Sequence, residues 1–513
     1  MSDVDLAEDL WGPFGRPLFE SPSAHALRRV GVVDVGSNSV RLVVFDGAAR
    51  SPAYFYNEKI MCGLGAGLGE TGRLNPEGRK RALAAIKRFQ RLAEGMNIAP
   101  LTAVATAAVR EAEDGPEFRE EITRETGLRL FVIDGKEEAR LSAQGVLLGW
   151  PEAKGLVCDI GGSSMELAEL KASGVGYCVS SDLGPLKLMG FKTKQSQKAH
   201  IKSVIEDLHN QMPITDKRLF LVGGSWRAIA RLDMERRNYP LHVLHEYRMT
   251  PRSVLDTAKW IAENDLDDLA SRTNTSSERM ALVPIASQVL KQLLKTFKPK
   301  EIAISSYGIR EGMLYEQMPK RVRRRDPLIE ACRSAEAKDA RSPGFGRELY
   351  DFIMPLYKSA PDETKRLIKA ACLLHDVSWR AHPDFRGEVC FDNTTRANLG
   401  GLKHRERIFL GLALLHRYKN KSETSRFAPL FEMLTPKQKT DAEILGKAMR
   451  FGAMFWTKHL NAVASLRFHP KKKELVLHLD PEYQDLFGEV AASRFNALAS
   501  ALESNARVEF SKG

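Results

Sequence analysis

The sequence predicts a duplicated α/β unit that continues into a mainly helical region and ends in a small α+β cap. Three features carry that prediction. A strand–turn–strand motif with an aspartate near the end of its first strand occurs at Asp34 and again at Asp159. Around both copies, short β-branched runs alternate with longer amphipathic ones, the mark of strands packed against helices. After residue 320 helical spacing takes over until about residue 466.

In chain order, residues 31–35 and 40–46 read as two strands joined by Gly36-Ser37-Asn38-Ser39. The glycine-rich stretch 63–69 precedes a helix over 76–95, which opens on Pro76, a residue suited to the first helical turn. A strand over 101–106, a helix over 116–126, a strand over 128–133 and a helix starting near Lys136 follow. The pattern then restarts with strands at 156–160, 165–170 and near 177–180. Residues 219–222 form a strand ending in Gly223-Gly224, 276–297 one long helix, 302–305 a strand and 309–317 a helix. In the cap, 466–469 and 475–479 pair around Lys471-Lys472-Lys473, ahead of a helix over 489–504 and a strand over 507–510. The domains expected are a tail 1–28, α/β domains 29–142 and 143–320, a helical domain 321–462 and the cap 463–513.

Composition narrows the function. With 43% hydrophobic residues in 513, the chain can bury several cores. It has no apolar run near the ~18–20 residues of a membrane span, so no membrane partner is expected. Residues 1–28 lack the apolar segment of a secretory signal, which makes cytoplasmic residence the expectation. Six cysteines without a C-x-x-C pair suit a reducing compartment and argue against disulfides or a zinc knuckle. The net charge is +12, and the last 193 residues hold 34 basic against 24 acidic groups, so nearly all of the surplus lies there. A basic module beside a near-neutral one points to a polyanion, with a general solubility bias as the alternative. Aromatic platforms for single-stranded nucleic acid are not evident, so nucleic acid is not the expected partner.

The repeated motif carries the chemistry. Glycine permits close backbone approach, serine and asparagine add short donors, and together they make a nest of N–H groups for an anionic oxygen. An aspartate at each strand end suits a divalent cation. One such turn alone is an ordinary hairpin; two, with matching flanking strands, imply a duplicated site.

Five motifs in order resemble the exopolyphosphatase/guanosine pentaphosphate phosphohydrolase family of the actin-like ATPase superfamily. They are Asp34-Val35-Gly36-Ser37-Asn38-Ser39, Ala105-Thr106-Ala107-Ala108-Val109-Arg110, Glu137-Glu138-Ala139-Arg140-Leu141, Asp159-Ile160-Gly161-Gly162-Ser163-Ser164-Met165-Glu166 and Ile309-Arg310-Glu311-Gly312. The resemblance covers about residues 30–318. It implies two RNase H-like (actin-like) domains around a cleft, and Mg²⁺-assisted release of terminal orthophosphate from inorganic polyphosphate. It also implies Glu138 as the base for the attacking water, Asp159 and Glu166 as metal holders, and Ser37, Asn38, Arg110, Gly162 and Ser164 as phosphate ligands. Whether K⁺ assists the metal stays open. Ser163 stands where the family has a third glycine, so an altered turn is expected. Gly223-Gly224-Ser225-Trp226-Arg227 is unusual in its tryptophan, whose contact with ligand is open. For Arg310, packing into the cleft and phosphate contact are equally expected.

His375-Asp376 is similar to the pair of HD phosphohydrolases, but an upstream histidine is missing, so an HD-like helical domain without an active metal site is expected. Basic residues Arg321, Arg323, Arg324, Arg325, Arg405, Arg407, Arg417, Lys419 and Lys421 are expected to line a polyanion track, and the long C-terminal helices to pair in a homodimer. Guanosine pentaphosphate is the alternative substrate. An actin-like kinase or ATPase and a non-catalytic polyphosphate-sensing module are the competing classes.

Overall fold

The computed structural model describes residues 29–46, 50–98, 101–212, 216–419, 426–457 and 459–510. The expected tail 1–28 and Lys421 lie outside the described residues. The chain divides into two compact units, the first ending at Pro327 and the second starting at Leu328.

The first unit holds two sheets of one design. In the first, β1 (Val30–Val35), β2 (Ser39–Phe45), β3 (Tyr54–Met61), β4 (Thr102–Ala105) and β5 (Leu130–Val132) run in the order β3-β2-β1-β4-β5. The second contains β6 (Gly155–Ile160), β7 (Met165–Lys171), β8 (Gly174–Ser181), β9 (Arg218–Gly223), the short β10 (Arg248–Met249) and β11 (Glu301–Ile304), in the order β10-β11-β9-β6-β7-β8. Each sheet has two antiparallel pairings on one side of its first strand and two parallel pairings on the other, to which the second sheet adds β10 antiparallel at its edge. The duplication seen in the turns therefore extends to whole domains.

The first strands are apolar on both faces, as in sheets covered on both sides. Val33 and Val35 join one core with Ile86, Phe89 and Phe118, from helices α1 (Pro76–Gly95) and α3 (Gly115–Thr126); between these lies the short α2 (Ala107–Glu111). Val32 faces the other way and meets Leu141, Leu148, Met313 and Leu314. These four come from α4 (Gly135–Gly149) and α9 (Ile309–Gln317). In the second sheet Leu156, Cys158 and Ile160 join a core with residues of α5 (Lys194–Gln211), α6 (Gly224–Arg236), α7 (Pro251–Glu263) and α8 (Val283–Phe297). Val157 turns instead to Ala139, Ala143 and Val146 of α4. Helix α4 thus serves both sheets, and the expected boundary at 142/143 falls inside it. With a period of two along a strand, Asp34 shares the face of Val32, and Asp159 that of Val157. Both face the gap between the sheets.

Helices α4 and α9 cross at unusually short range. A Cβ on Gly312 would lie 1.8 Å from the Leu141 carbonyl oxygen, and one on Gly145 2.2 Å from that of Gly308. The residues after α9 stay with this unit. Val322 is buried against Met318, and Arg323 donates from Nε to the Met318 carbonyl at 2.8 Å and from Nη2 to that of Glu316. That packing moves the break from the expected 320 to 327.

The second unit is helical, with α10 (Phe345–Ile353), α11 (Asp362–Leu374), α12 (Arg386–Arg396), α13 (His404–Tyr418) and α14 (Pro436–Gly452). It closes with β12 (Ala464–His469), β13 (Glu474–Leu479), α15 (Glu489–Ala501) and β14 (Asn505–Phe510). β12 and β13 pair antiparallel as expected, and β14 joins β13 in parallel.

Helices α2, α5, α6 and α7 were not expected from the sequence, and two further elements differ from it. The long helix over 276–297 is split into Ser277–Met280 and α8, because Pro284 sits in the first turn of α8 and has no N–H to continue a helix through that point. Strand β3 gave no clear signal, since it is an edge strand whose side chains are mostly exposed.

The helix crossing sets a test. Gly312→Ala should destabilise the protein by about 3 kcal/mol or more through overpacking against backbone, read as a drop in urea midpoint. Gly95→Ala, where a Cβ meets nothing within 4 Å, should leave the midpoint unchanged or raise it slightly.

Candidate functional site

The two hairpins match bond for bond. Gly36 N–H donates to the Ser39 carbonyl at 3.0 Å, and Gly161 N–H to the Ser164 carbonyl at 3.0 Å. Register pairs Asp34 with Arg41 in one copy and Asp159 with Glu166 in the other. The turns face each other: Ser163 Oγ donates to Ser37 Oγ at 3.0 Å. With Ser163 in place the second turn keeps the same backbone bond as the first, and the Ser163 hydroxyl bridges the two domains. Behind the first turn stands the glycine-rich stretch, where Gly65 N–H donates to the Ser37 carbonyl at 2.7 Å and Cys62 and Gly63 N–H donate to that of Asn38 at 3.0 Å each.

Between the turns lies a cleft of about 240 Å³ lined by Asp34, Ser37, Asn38, Glu138, Asp159, Gly162 and Ser164, among others. Helices α2, α6 and α9 all begin at its wall, at Ala107, Gly224 and Ile309. Three helix N-termini aimed at one space favour an anion there.

One end of the site is acidic. Asp134 caps α4 by accepting from Glu137 N–H at 2.7 Å, which turns Glu138 into the cleft at 6% exposure. Glu137 points away and pairs with Arg140 at 2.6 Å. Glu166 is buried and accepts from Ser180 Oγ at 2.9 Å, while Ser142, one turn after Glu138, donates to Asp159 Oδ2. The Oε2 atoms of Glu138 and Glu166 are buried and accept no hydrogen bond. Burial raises all of these carboxyls. Glu138 is pushed well up by burial and by the charges of Glu166 and Asp159, and Glu166 rises to about 8 through burial and Asp159. Asp34 and Asp159 are also raised by burial. Crowded, under-bonded carboxylates of this kind fit a cation. Among the described residues no three metal-ligating groups gather closely enough to enclose one. Asp159 and Glu166 could hold a hard cation through one or two carboxylates, the rest of its shell being water and phosphate oxygen.

The other end is basic, and sequence reasoning missed most of it. Arg41, Lys59, Arg227, Arg279 and Arg310 all line the cleft. Burial, then mutual repulsion, lowers Arg41 and Arg227 to about 10; Lys59 falls to about 8 through burial and the nearby arginines, Arg279 first. Arg41 takes the place that Glu166 holds in the other hairpin, so a symmetric fold yields a polar site. The signal for Arg41 was present in the repeat itself, as a mismatch. Lys59 sits on the unrecognised edge strand. Arg310 faces the cleft, while its neighbour Glu311 accepts from Gly308 N–H and Tyr54 OH at 2.8 Å each. Trp226 is fully buried in the domain core, and the adjacent Arg227 is the residue that reaches the cleft.

Arg110 stands beside Glu138: its Nη1 donates to the Ile133 carbonyl at 2.8 Å and lies 3.6 Å from Glu138 Oε2. The polyanion track is corrected at four positions, the first being Arg417, whose Nε is enclosed and which lines a small cavity of the second unit instead of an open track. Arg407 is 0% exposed and donates to the carbonyls of Thr395, Ala397 and Leu399, which makes it an internal strut. Arg323 is spent on the carbonyls after α9 as described, and Lys419 is paired with Glu388 at 2.9 Å. Arg321, Arg324 and Arg405 are exposed. His375 is buried, with Nδ1 bonded to the Cys372 carbonyl at 2.7 Å, and Asp376 is held by Arg341.

The acidic end sets the pH response. Folded Glu166 takes up its proton near pH 8, against 4.5 for a free glutamate. The folded state thus binds the extra proton between those values, and its stability falls as pH rises through that window. In chelator, the thermal midpoint should drop between about pH 5 and about pH 8, and Glu166→Gln should flatten that drop.

Exopolyphosphatase 1 of Mycobacterium tuberculosis is 34% identical over 143 residues, covering 27% of this chain and 42% of that protein. Retrograde regulation protein 2 of Saccharomyces cerevisiae is 24% identical over 487 residues, 84% of this chain and 79% of that protein. The crystal structure of an exopolyphosphatase from Cytophaga hutchinsonii shares the fold with a TM-score of 0.51 at 23% identity, over 56% of this chain and 97% of that one. Residues 328–509 match a family model described as exopolyphosphatase, C-terminal. Residues 43–321, more than half of the chain, match the Ppx/GppA phosphatase family, and with its paired hairpins and two actin-like domains the chain belongs to that family.

Proposed function

We propose that this protein is an exopolyphosphatase, a hydrolase that removes the terminal phosphoryl group from inorganic polyphosphate. The observation that carries the reading is the polarity of the cleft, with an under-bonded glutamate at one end and five cationic side chains at the other. A chain of phosphoanhydrides has the matching shape. Its last unit would lie between the two turns, on the N–H groups around Ser37, Asn38, Gly162 and Ser164. The units behind it would lie along Arg41, Lys59, Arg227, Arg279 and Arg310. The exopolyphosphatases among its relatives add support.

Asp159 and Glu166 would hold Mg²⁺, which when bound supplies positive charge to the phosphate oxygens and to the crowded carboxylates. Glu138 orients the attacking water and accepts its proton. Phosphoryl transfer is loose, so positioning and charge neutralisation matter more than base strength. Arg110, beside Glu138, favours the ionised carboxylate needed for that step. The lining contains no aromatic side chain among the described residues. That favours a bare phosphate chain over guanosine pentaphosphate or ATP, whose bases gain from stacking.

The relative that spans most of the chain is named for regulation, which favours a sensing module as the second reading. One assay separates the readings. With Mg²⁺, wild type should release orthophosphate from long polyphosphate faster than from guanosine pentaphosphate or ATP. Binding without release would select the sensor. Glu138→Ala should lower release by about 10²-fold or more, in the range of a lost general base, while retaining polyphosphate binding. Arg227→Gln should raise KM for long chains more than it lowers kcat.

A further inference from the structure

The second unit contains a partly buried cation, enclosed at its Nε, that none of this chemistry uses. Arg417 lies in the last turn of α13, and its Nε is enclosed without a hydrogen-bond acceptor. No hydrogen bond or ion pair engages its guanidinium among the described residues; the Tyr418 ring lies 4.9 Å away. A charge enclosed without a partner is costly, so the fold carries this one at a loss unless an anion meets it.

The surroundings are arranged for an anion. Arg417 borders a cavity of about 30 Å³ shared with Arg341, Phe345, His375, Asp376 and Trp456. Asp376, the carboxylate nearest in charge, is already taken: Arg341 donates to it from Nε at 2.9 Å and from Nη2 at 2.5 Å. His375 adds no positive or negative charge at neutral pH, because burial and Arg417 lower it to about 4. Arg494 of α15 adds positive charge to its surroundings. Cys390 and Tyr418, the remaining groups facing Arg417, stay neutral because burial raises both. The cavity is thus net positive, with its one carboxylate neutralised. Its volume admits about a water or the leading oxygens of a larger group, and Trp456, 45% exposed, stands at its rim.

We propose that this cavity is a second anion site, built from the carboxy-terminal unit alone, in which Arg417 receives one phosphoryl group. A guanidinium with open donors matches phosphate oxygens in pairs, and a doubly charged group suits the surplus of arginines. The ligand is orthophosphate or the end of a phosphate chain. Bound there, it relieves the enclosed charge and stabilises the packing of α11 and α13, so phosphate level is read by a domain that does no chemistry.

Trp456 is the reporter. The full-length protein is titrated in EDTA, which stops turnover, with orthophosphate and separately with tripolyphosphate. A saturable fluorescence change should appear in wild type, vanish in Trp456→Phe, and be lost in Arg417→Met. Arg417→Lys, which keeps charge and fold but loses the paired geometry, should bind about tenfold more weakly. Saturation by orthophosphate identifies free phosphate as the ligand, and saturation by tripolyphosphate alone identifies a chain end. Arg417→Met should also raise the thermal midpoint in phosphate-free buffer and leave polyphosphate hydrolysis at low phosphate unchanged. A wild-type titration without any change, or equal responses in wild type, Arg417→Met and Arg417→Lys, overturns the proposal. A failed exopolyphosphatase assay would not affect these titrations.

Discussion

The contact on which the first unit depends is backbone against backbone, where α4 crosses α9. Gly145 lies against the Gly308 carbonyl and Gly312 against that of Leu141, closer than any side chain permits. Because the helices touch there, Glu138 of α4 and Arg310 of α9 line the same gap. Glu138 lies two turns before Gly145, and Arg310 two residues before Gly312. One short crossing therefore fixes the distance between the acidic and basic ends of the cleft. The faces of α4 then divide between sheets: Leu141 and Leu148 to the first, Ala139, Ala143 and Val146 to the second.

Duplication supplies the scaffold, and asymmetry supplies the chemistry. Two identical hairpins would place two identical charges across the cleft. Instead Arg41 and Glu166 hold equivalent positions, and the halves become complementary to a ligand that has a reacting end and an inert, charged remainder. The low dielectric of the cleft strengthens both ends. It also makes each end costly without a ligand, as the raised carboxyls and lowered arginines record. Such strain is a usual property of functional sites.

Much of this was legible in the sequence. The hairpins, Glu138, Asp159 and Glu166 were readable because they sit in contiguous motifs whose spacing is set by one turn or one helix start. Helix α1 was readable from Pro76 and its apolar spacing. The basic end was not, because its five residues come from five separate places, and only the folded sheets bring Lys59 beside Arg279. Exposed edge strand β3 lacks the buried alternation that reveals strands, which hid Lys59 twice over. Charge counting also misled: Arg407 and Arg323 are basic by composition, yet each is consumed by backbone carbonyls. Sequence reports how many arginines a region has, but what each one faces is decided by packing.

That distinction also separates the two units. In the first, half-buried arginines line an open cleft together with helix N-termini and carboxylates, an arrangement that suits the polyanion proposed above. In the second, Arg407 is balanced by carbonyls and Arg341 by Asp376, so neither calls for a ligand. Arg417 alone has no such answer among the described residues. The difference cannot be attributed to a general excess of positive charge, since a surface excess is solvated and asks for nothing. It follows from enclosure, which turns a common residue into a demand for a counter-charge of matching shape.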